Sequence, residues 1–162
     1  MRYRYAEPDE TEFRPWWTDT PKLRLVPTVE GRLKAVRRTC YEDVLHRIGG
    51  KRPVRVVIYL RAAAGLDTAY WDLTLNDRAT KRGWIVGEQR FTDAVGGCLP
   101  EFEQACQHTR EGRADGILTI RRATVPLDDQ AYADRLERMR EQTTFLAFLP
   151  QVDPTHPRGS SW

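Results

Sequence analysis

The chain is poor in cysteine, histidine, methionine and lysine, and each shortage narrows what it can be. Its three cysteines, Cys40, Cys98 and Cys106, are odd in number and lack framework spacing. This argues against a disulfide scaffold and for a reducing, cytoplasmic setting. No window approaches ~18 consecutive apolar residues, so no membrane span and no membrane partner are expected. The opening "MRYRYAEPDE" lacks the apolar run of a signal peptide. No glycine-rich phosphate loop is present. Cys98, Cys106 and His108 lie close together, but their spacing is not that of a zinc site, and His46 and His156 have no partner visible in sequence. No metal and no cofactor are expected.

What is present describes one soluble domain with extra length. The chain has 162 residues, 40% of them apolar and 30% charged, enough to bury a real core. Net charge is only +3, but it is unevenly spread: residues 1–52 carry 12 Lys/Arg against 8 Asp/Glu, residues 53–150 carry 13 against 14. Arginine outnumbers lysine 22 to 4. That bias suits phosphate contacts, although a GC-rich coding sequence produces it too and is the simpler explanation.

Three segments follow from the patterning. Residues 1–52 form an arm plus a basic amphipathic helix. The arm holds Pro8, Pro15, Pro21 and Pro27, together with Tyr3, Tyr5, Phe13, Trp16 and Trp17. So many aromatics predict that part of it packs against something. In the helix Val29, Leu33, Val36, Cys40, Val44 and Ile48 fall at helical spacing, with Thr28 as N-cap and Gly49-Gly50 as the stop. Residues 53–150 then alternate: strand 54–60, helix 68–82, strand 84–89, helix 100–110, strand 116–120, helix 128–142, strand 144–149. Residues 151–162 are a loose, proline-bearing tail. The alternation predicts an α/β fold, a mainly parallel sheet flanked by helices, with an N-terminal helix and extended arm. Ligands of such sheets sit beyond the carboxyl ends of the strands. That places "RAAAGLD", Arg61 to Asp67, at the rim.

The order of the pieces over about residues 54–150 resembles the catalytic domain of serine recombinases, the resolvase and invertase family. The resemblance rests on "YLR" at 59–61, "RGWIVGEQRFTDAVGG" at 82–97, "LPEFEQACQHTREGRADGILTI" at 99–120 and "TTFLAFL" at 143–149. It implies a resolvase-like sheet. It also implies the family's chemistry, in which a serine hydroxyl attacks a DNA phosphate while arginines neutralise the phosphoryl group. Tyr59, Arg61 and Asp93 match family positions. The nucleophilic serine falls on Ala63, the serine of the Asp-x-x-Ser-Gly turn on Gly96, and the arginine before Pro100 on Leu99. The Leu-Asp-Arg-Leu-x-Arg segment falls on Arg122 to Leu127, with Ala123, Thr124 and Leu127 in place of the aspartate and both arginines. An alanine methyl cannot attack phosphorus, so the resemblance implies a pseudoenzyme with no catalytic residue, Tyr59, Arg61 and Asp93 being remnants. An ion pair between Arg61 and Asp93, holding the rim loops, is expected. The tail after residue 150 is too short and proline-bearing for the family's dimerising helix and helix-turn-helix reader.

DNA contact is therefore expected from Lys22, Arg24, Arg32, Lys34, Arg37, Arg38 and Arg61, with Arg47 also on the basic side of the first helix. The plainer alternative is a solvated helix face, diluted by Glu30, Glu42 and Asp43. Arg14 beside Trp16-Trp17 could stack bases, or the arm could be anchored on the core or on a second subunit. The function expected is binding, in an accessory or regulatory role in DNA recombination or in mobile-element or plasmid biology. Candidate partners are DNA, a second copy of the chain, or another recombinase-like protein. Two alternatives stand beside it. One is a protein–protein interaction module unrelated to DNA. The other is a small-molecule or nucleotide-binding domain using Arg61 and the rim glycines Gly65, Gly96 and Gly97.

Overall fold

A computed structural model describes residues 28–96 and 98–150. The arm, with Arg14, Trp16, Trp17, Lys22 and Arg24, lies outside the described residues, as do Gly97 and the tail after Pro150.

Helix α1 (Val29–Ile48) starts where the Thr28 hydroxyl accepts a hydrogen bond from the Gly31 N–H at 3.0 Å. It ends at Gly49, whose φ of 58° is a left-handed turn that glycine takes at no steric cost. The alternating part follows as β1 (Arg55–Arg61), α2 (Thr68–Lys81), β2 (Ile85–Asp93), α3 (Pro100–Arg110), β3 (Gly116–Thr119), a single 3-10 turn at Arg122–Thr124, α4 (Asp129–Glu141) and β4 (Phe145–Phe148). Asp67 and Asp128 cap α2 and α4 through their carboxylates. The strands form one sheet in the order β2-β1-β3-β4, and every pairing is parallel. The expected α/β fold with a parallel sheet is thus the one observed. Strand β2 continues past Gln89 to Asp93, because it bulges between Val86 and Arg90 and then pairs again with Ile58 to Arg61 of β1.

The central strands β1 and β3 are buried on both faces, which is why their apolar runs are continuous rather than alternating. On one face Val56, Ile58 and Leu60 pack with Leu75 and Ala79 of α2 and with Cys40, Val44 and Ile48 of α1. On the other, Val57 and Tyr59 meet Phe102, Ala105 and Cys106 of α3 and Tyr132, Leu136 and Met139 of α4. Each fully buried Leu or Ile side chain contributes roughly 1.5–3 kcal/mol. Helix α1 packs on α4 and on β4, covering an edge that would otherwise offer unpaired backbone groups. Phe145 closes this side: its ring meets Tyr41 edge-on at 5.0 Å and lies over Gly116, where a Cβ would come within 2.5 Å of the ring.

The amino-terminal end of the sheet carries a charge cluster that periodicity does not reveal. Asp115, 1% exposed, precedes β3. Arg52 donates to both of its carboxylate oxygens, at 2.7 and 2.8 Å. Arg47 of α1 donates at 3.1 Å and the Arg55 N–H at 2.9 Å. Burial alone would raise the Asp115 carboxyl. The Arg52 hydrogen bonds, the Arg55 N–H and the charges of Arg52 and Arg55 outweigh it and hold the group down at about 2. One aspartate thereby ties α1, the α1–β1 linker and two strands together.

Candidate functional site at the carboxyl end of the sheet

The opposite end has two halves. The first is built by β1 and β2. Tyr59 and Asp93 sit on neighbouring strands, two residues apart in register along the same face. Asp93 is buried, and its carboxylate is fully engaged. The Tyr59 hydroxyl donates to Oδ2 at 2.8 Å, the Phe102 N–H to the same oxygen at 3.0 Å and the Glu101 N–H to Oδ1 at 2.9 Å. Asp93 therefore caps α3, a helix that begins with Pro100 and has no capping side chain at Leu99. An acid at this end is favoured by the unpaired N–H groups and by the helix dipole. Burial, and then the bond to Asp93, raise the Tyr59 pKa, so the phenol stays protonated.

The ion pair expected between Arg61 and Asp93 does not form, although the two are register partners. The α3 N–H groups and Tyr59 take both carboxylate oxygens instead. Arg61 is half-buried, and its Nε has no hydrogen-bond partner. The same is true of the buried Thr119 hydroxyl at the end of β3, on the other side of β1. Beyond Arg61, Ala63 stands exposed on the turn into α2, and Gly65 takes a φ of 80° there. Leu99 and Leu127 pack against the α3–α4 core, Thr124 is buried and Ala123 is exposed. The two buried thiols offer no alternative nucleophile: burial pushes Cys40 up to about 11 and Cys106 up to about 12.

The second half lies beyond β3 and β4. There the first turns of α1, the β3 exit, the start of α4 and the end of β4 enclose an open groove of about 920 Å³. Its lining includes Lys34, Arg37, Arg121, Arg122, Tyr132 and Phe148, with Glu30 and Asp129 as its acids. Arg37 lies over the Phe148 ring at 4.1 Å, and Arg122 over the Tyr132 ring at 3.8 Å. Arg122 also donates to the carbonyls of Val125 and Leu127, at 2.6 and 2.7 Å. No family model, no curated protein and no solved structure matches this chain. The residues themselves must carry the functional reading.

The structure divides the basic residues singled out in the sequence. Lys34 and Arg37 line the groove. Arg32 is exposed. Arg38 pairs along the helix with Glu42 at 3.0 Å, and Arg47 turns to Asp115 at the far end of the sheet. Arg61 does not line the groove, and Lys22 and Arg24 are outside the described residues. Arg121, Arg122, Tyr132 and Phe148 were missed as site residues. The signal that could have found them is "TIRR" at 119–122, two arginines at the carboxyl end of a strand, where parallel sheets place their ligands. Among the described residues no His, Cys, Asp and Glu side chains cluster so as to hold a metal, and no helix is long and apolar enough to cross a membrane.

Proposed function

We propose that the chain is a catalytically silent, serine-recombinase-like protein that acts by binding DNA, in an accessory or regulatory role in recombination or in mobile-element or plasmid biology. The observation that carries this reading is the state of the β1–β2 rim. Ala63 occupies the exposed turn where the resemblance places a nucleophile, while the one buried acid there is spent on capping α3. Phosphoryl transfer needs an activated nucleophile and fixed positive charge around the phosphorus. Arg61 supplies one cation and the turn supplies no nucleophile. The unpartnered Arg61 Nε and Thr119 hydroxyl leave a polar trace at the rim of the parallel sheet.

The test is incubation of the protein at high concentration with supercoiled plasmid. The plasmid should remain intact, with Ala63→Ser as well as with the unaltered chain, because the family's other arginines are missing. Nicked or protein-linked DNA that disappears in Arg61→Ala would overturn the reading.

A second reading, a protein-contact module, is favoured by a different observation. Tyr70 and Leu73 on α2 are 58% and 69% exposed, and Ile85, opening the edge strand β2, is 53% exposed. Such residues mark contact surfaces when they form one patch. A solution mass that stays monomeric, without DNA or any added protein, separates the first reading from self-association through this face.

A further inference from the structure

The groove beyond β3 and β4 differs from every other charged region described. Four cationic side chains line it against two acidic ones. They come from separate parts of the chain: Lys34 and Arg37 from α1, Arg121 and Arg122 from the β3 exit. Two are held in place before any ligand arrives. Arg122 is fixed by two carbonyls and by the Tyr132 face, and Arg37 by the Phe148 face. The other two, Lys34 and Arg121, are exposed and have no hydrogen-bond or ion-pair partner for their side chains among the described residues. Only Asp129 answers any of this charge at close range, lying 3.7 Å from Arg122.

Arg122 lies over the buried Tyr132 ring, and the positive charge of Arg37 also acts on that side chain. Guanidiniums already fixed on aromatic rings lose little side-chain freedom in binding an anion. The groove also sits at the carboxyl end of a parallel sheet, where ligand sites form.

We propose that this groove is a phosphate-ester binding site, with Arg37 and Arg122 as its fixed floor and Lys34 and Arg121 as its closing cations. Its ligand is the backbone of a nucleic-acid strand or a free nucleotide, which share the phosphate-ester chemistry. The inference rests on the binding reading above and locates it on the molecule. Stacked guanidinium planes also offer a surface on which a base can lie.

The probe is a fluorescent single-stranded oligothymidylate, titrated at about 50 and 200 mM salt, since phosphate contacts weaken steeply across that range. Thymidine monophosphate and inorganic phosphate serve as competitors. Binding should weaken by roughly tenfold or more in the double variant Lys34→Glu with Arg121→Glu, and its salt slope should flatten by about one for each phosphate that is no longer neutralised. Lys51→Glu, a charge reversal at the opposite end of the sheet, should leave both unchanged. Displacement of the strand by thymidine monophosphate at similar affinity supports the site and assigns it to a free nucleotide. Lack of displacement assigns it to the strand. Failure of both the strand and the monophosphate to bind overturns the proposal, as does equal binding by the groove variant or an equal loss in Lys51→Glu. Plasmid cleavage would remove the proposed function and leave the groove standing. Strand binding that survives the groove variant would do the reverse.

Discussion

Both ends of the sheet are rich in arginine, yet the two ends use it differently. At the amino-terminal end Arg47, Arg52 and Arg55 converge on one buried carboxylate, Asp115, and the charge is answered within the fold. At the carboxyl-terminal end Lys34, Arg37, Arg121 and Arg122 converge on open space, and most of the charge is unanswered. Composition cannot distinguish the two. The difference lies in whether a buried acid stands among the cations. Where one does, the cluster is a fold device. Where none does, the cluster is available to a ligand.

The sharpest way to break this contrast is to remove the acid. Asp115→Ala should destabilise the protein by about 2 kcal/mol, because it removes the one buried acid that accepts from the part-exposed Arg47 and Arg52 and from the Arg55 N–H. Urea unfolding measures the loss, and a loss below the range of ordinary surface substitutions would contradict the role assigned to Asp115. The same cluster predicts a pH dependence. The folded-state pKa of Asp115, about 2, lies below the ordinary value of 3.8, so the charged form is the one that folding favours. Its contribution is complete above pH ~4 and is lost as pH falls through about 2. It is worth about 2 kcal/mol. Asp115→Asn should remove that part of the acid sensitivity, and a variant with an unaltered acid profile would sink the assignment.

The helix stops are where local sequence rules work least evenly. Thr28 and Gly49 were legible as the ends of α1, and α3 has the bounds that Pro100 and the apolar spacing predict. Strand existence followed from the alternation, since β1 and β3 are short apolar runs buried on both faces. The β2 bulge went unread, although Gly87 stands inside it, close against β1, and an isolated glycine in a strand is a bulge signal. Helix α4 turns into β4 through Thr143, whose φ of 55° is left-handed without being glycine. Thr143→Gly should therefore stabilise by about 1 kcal/mol, read as a higher unfolding midpoint. No gain would show that the turn is held by tertiary contacts.

The candidate site was legible only in part. Lys34 and Arg37 announce themselves as helix cations, and Arg61 as a rim residue. Nothing in their spacing tells that Arg38 pairs with Glu42 or that Arg47 crosses to Asp115, since both outcomes depend on where α1 docks. Asp93 was legible as a rim acid but not as the cap of α3. That role required knowing that Pro100 opens a helix whose preceding residue, Leu99, cannot cap it.

The contrast between the two ends is tested most directly by the affinity of the oligothymidylate strand for Lys34→Glu with Arg121→Glu, measured on protein whose unfolding midpoint is taken from the same preparation. Binding weakened by roughly tenfold, with stability unchanged to within about 0.5 kcal/mol, is the predicted result. Unchanged binding, or a loss of stability like that of Asp115→Ala, would show that both ends of the sheet use their charge for the fold alone.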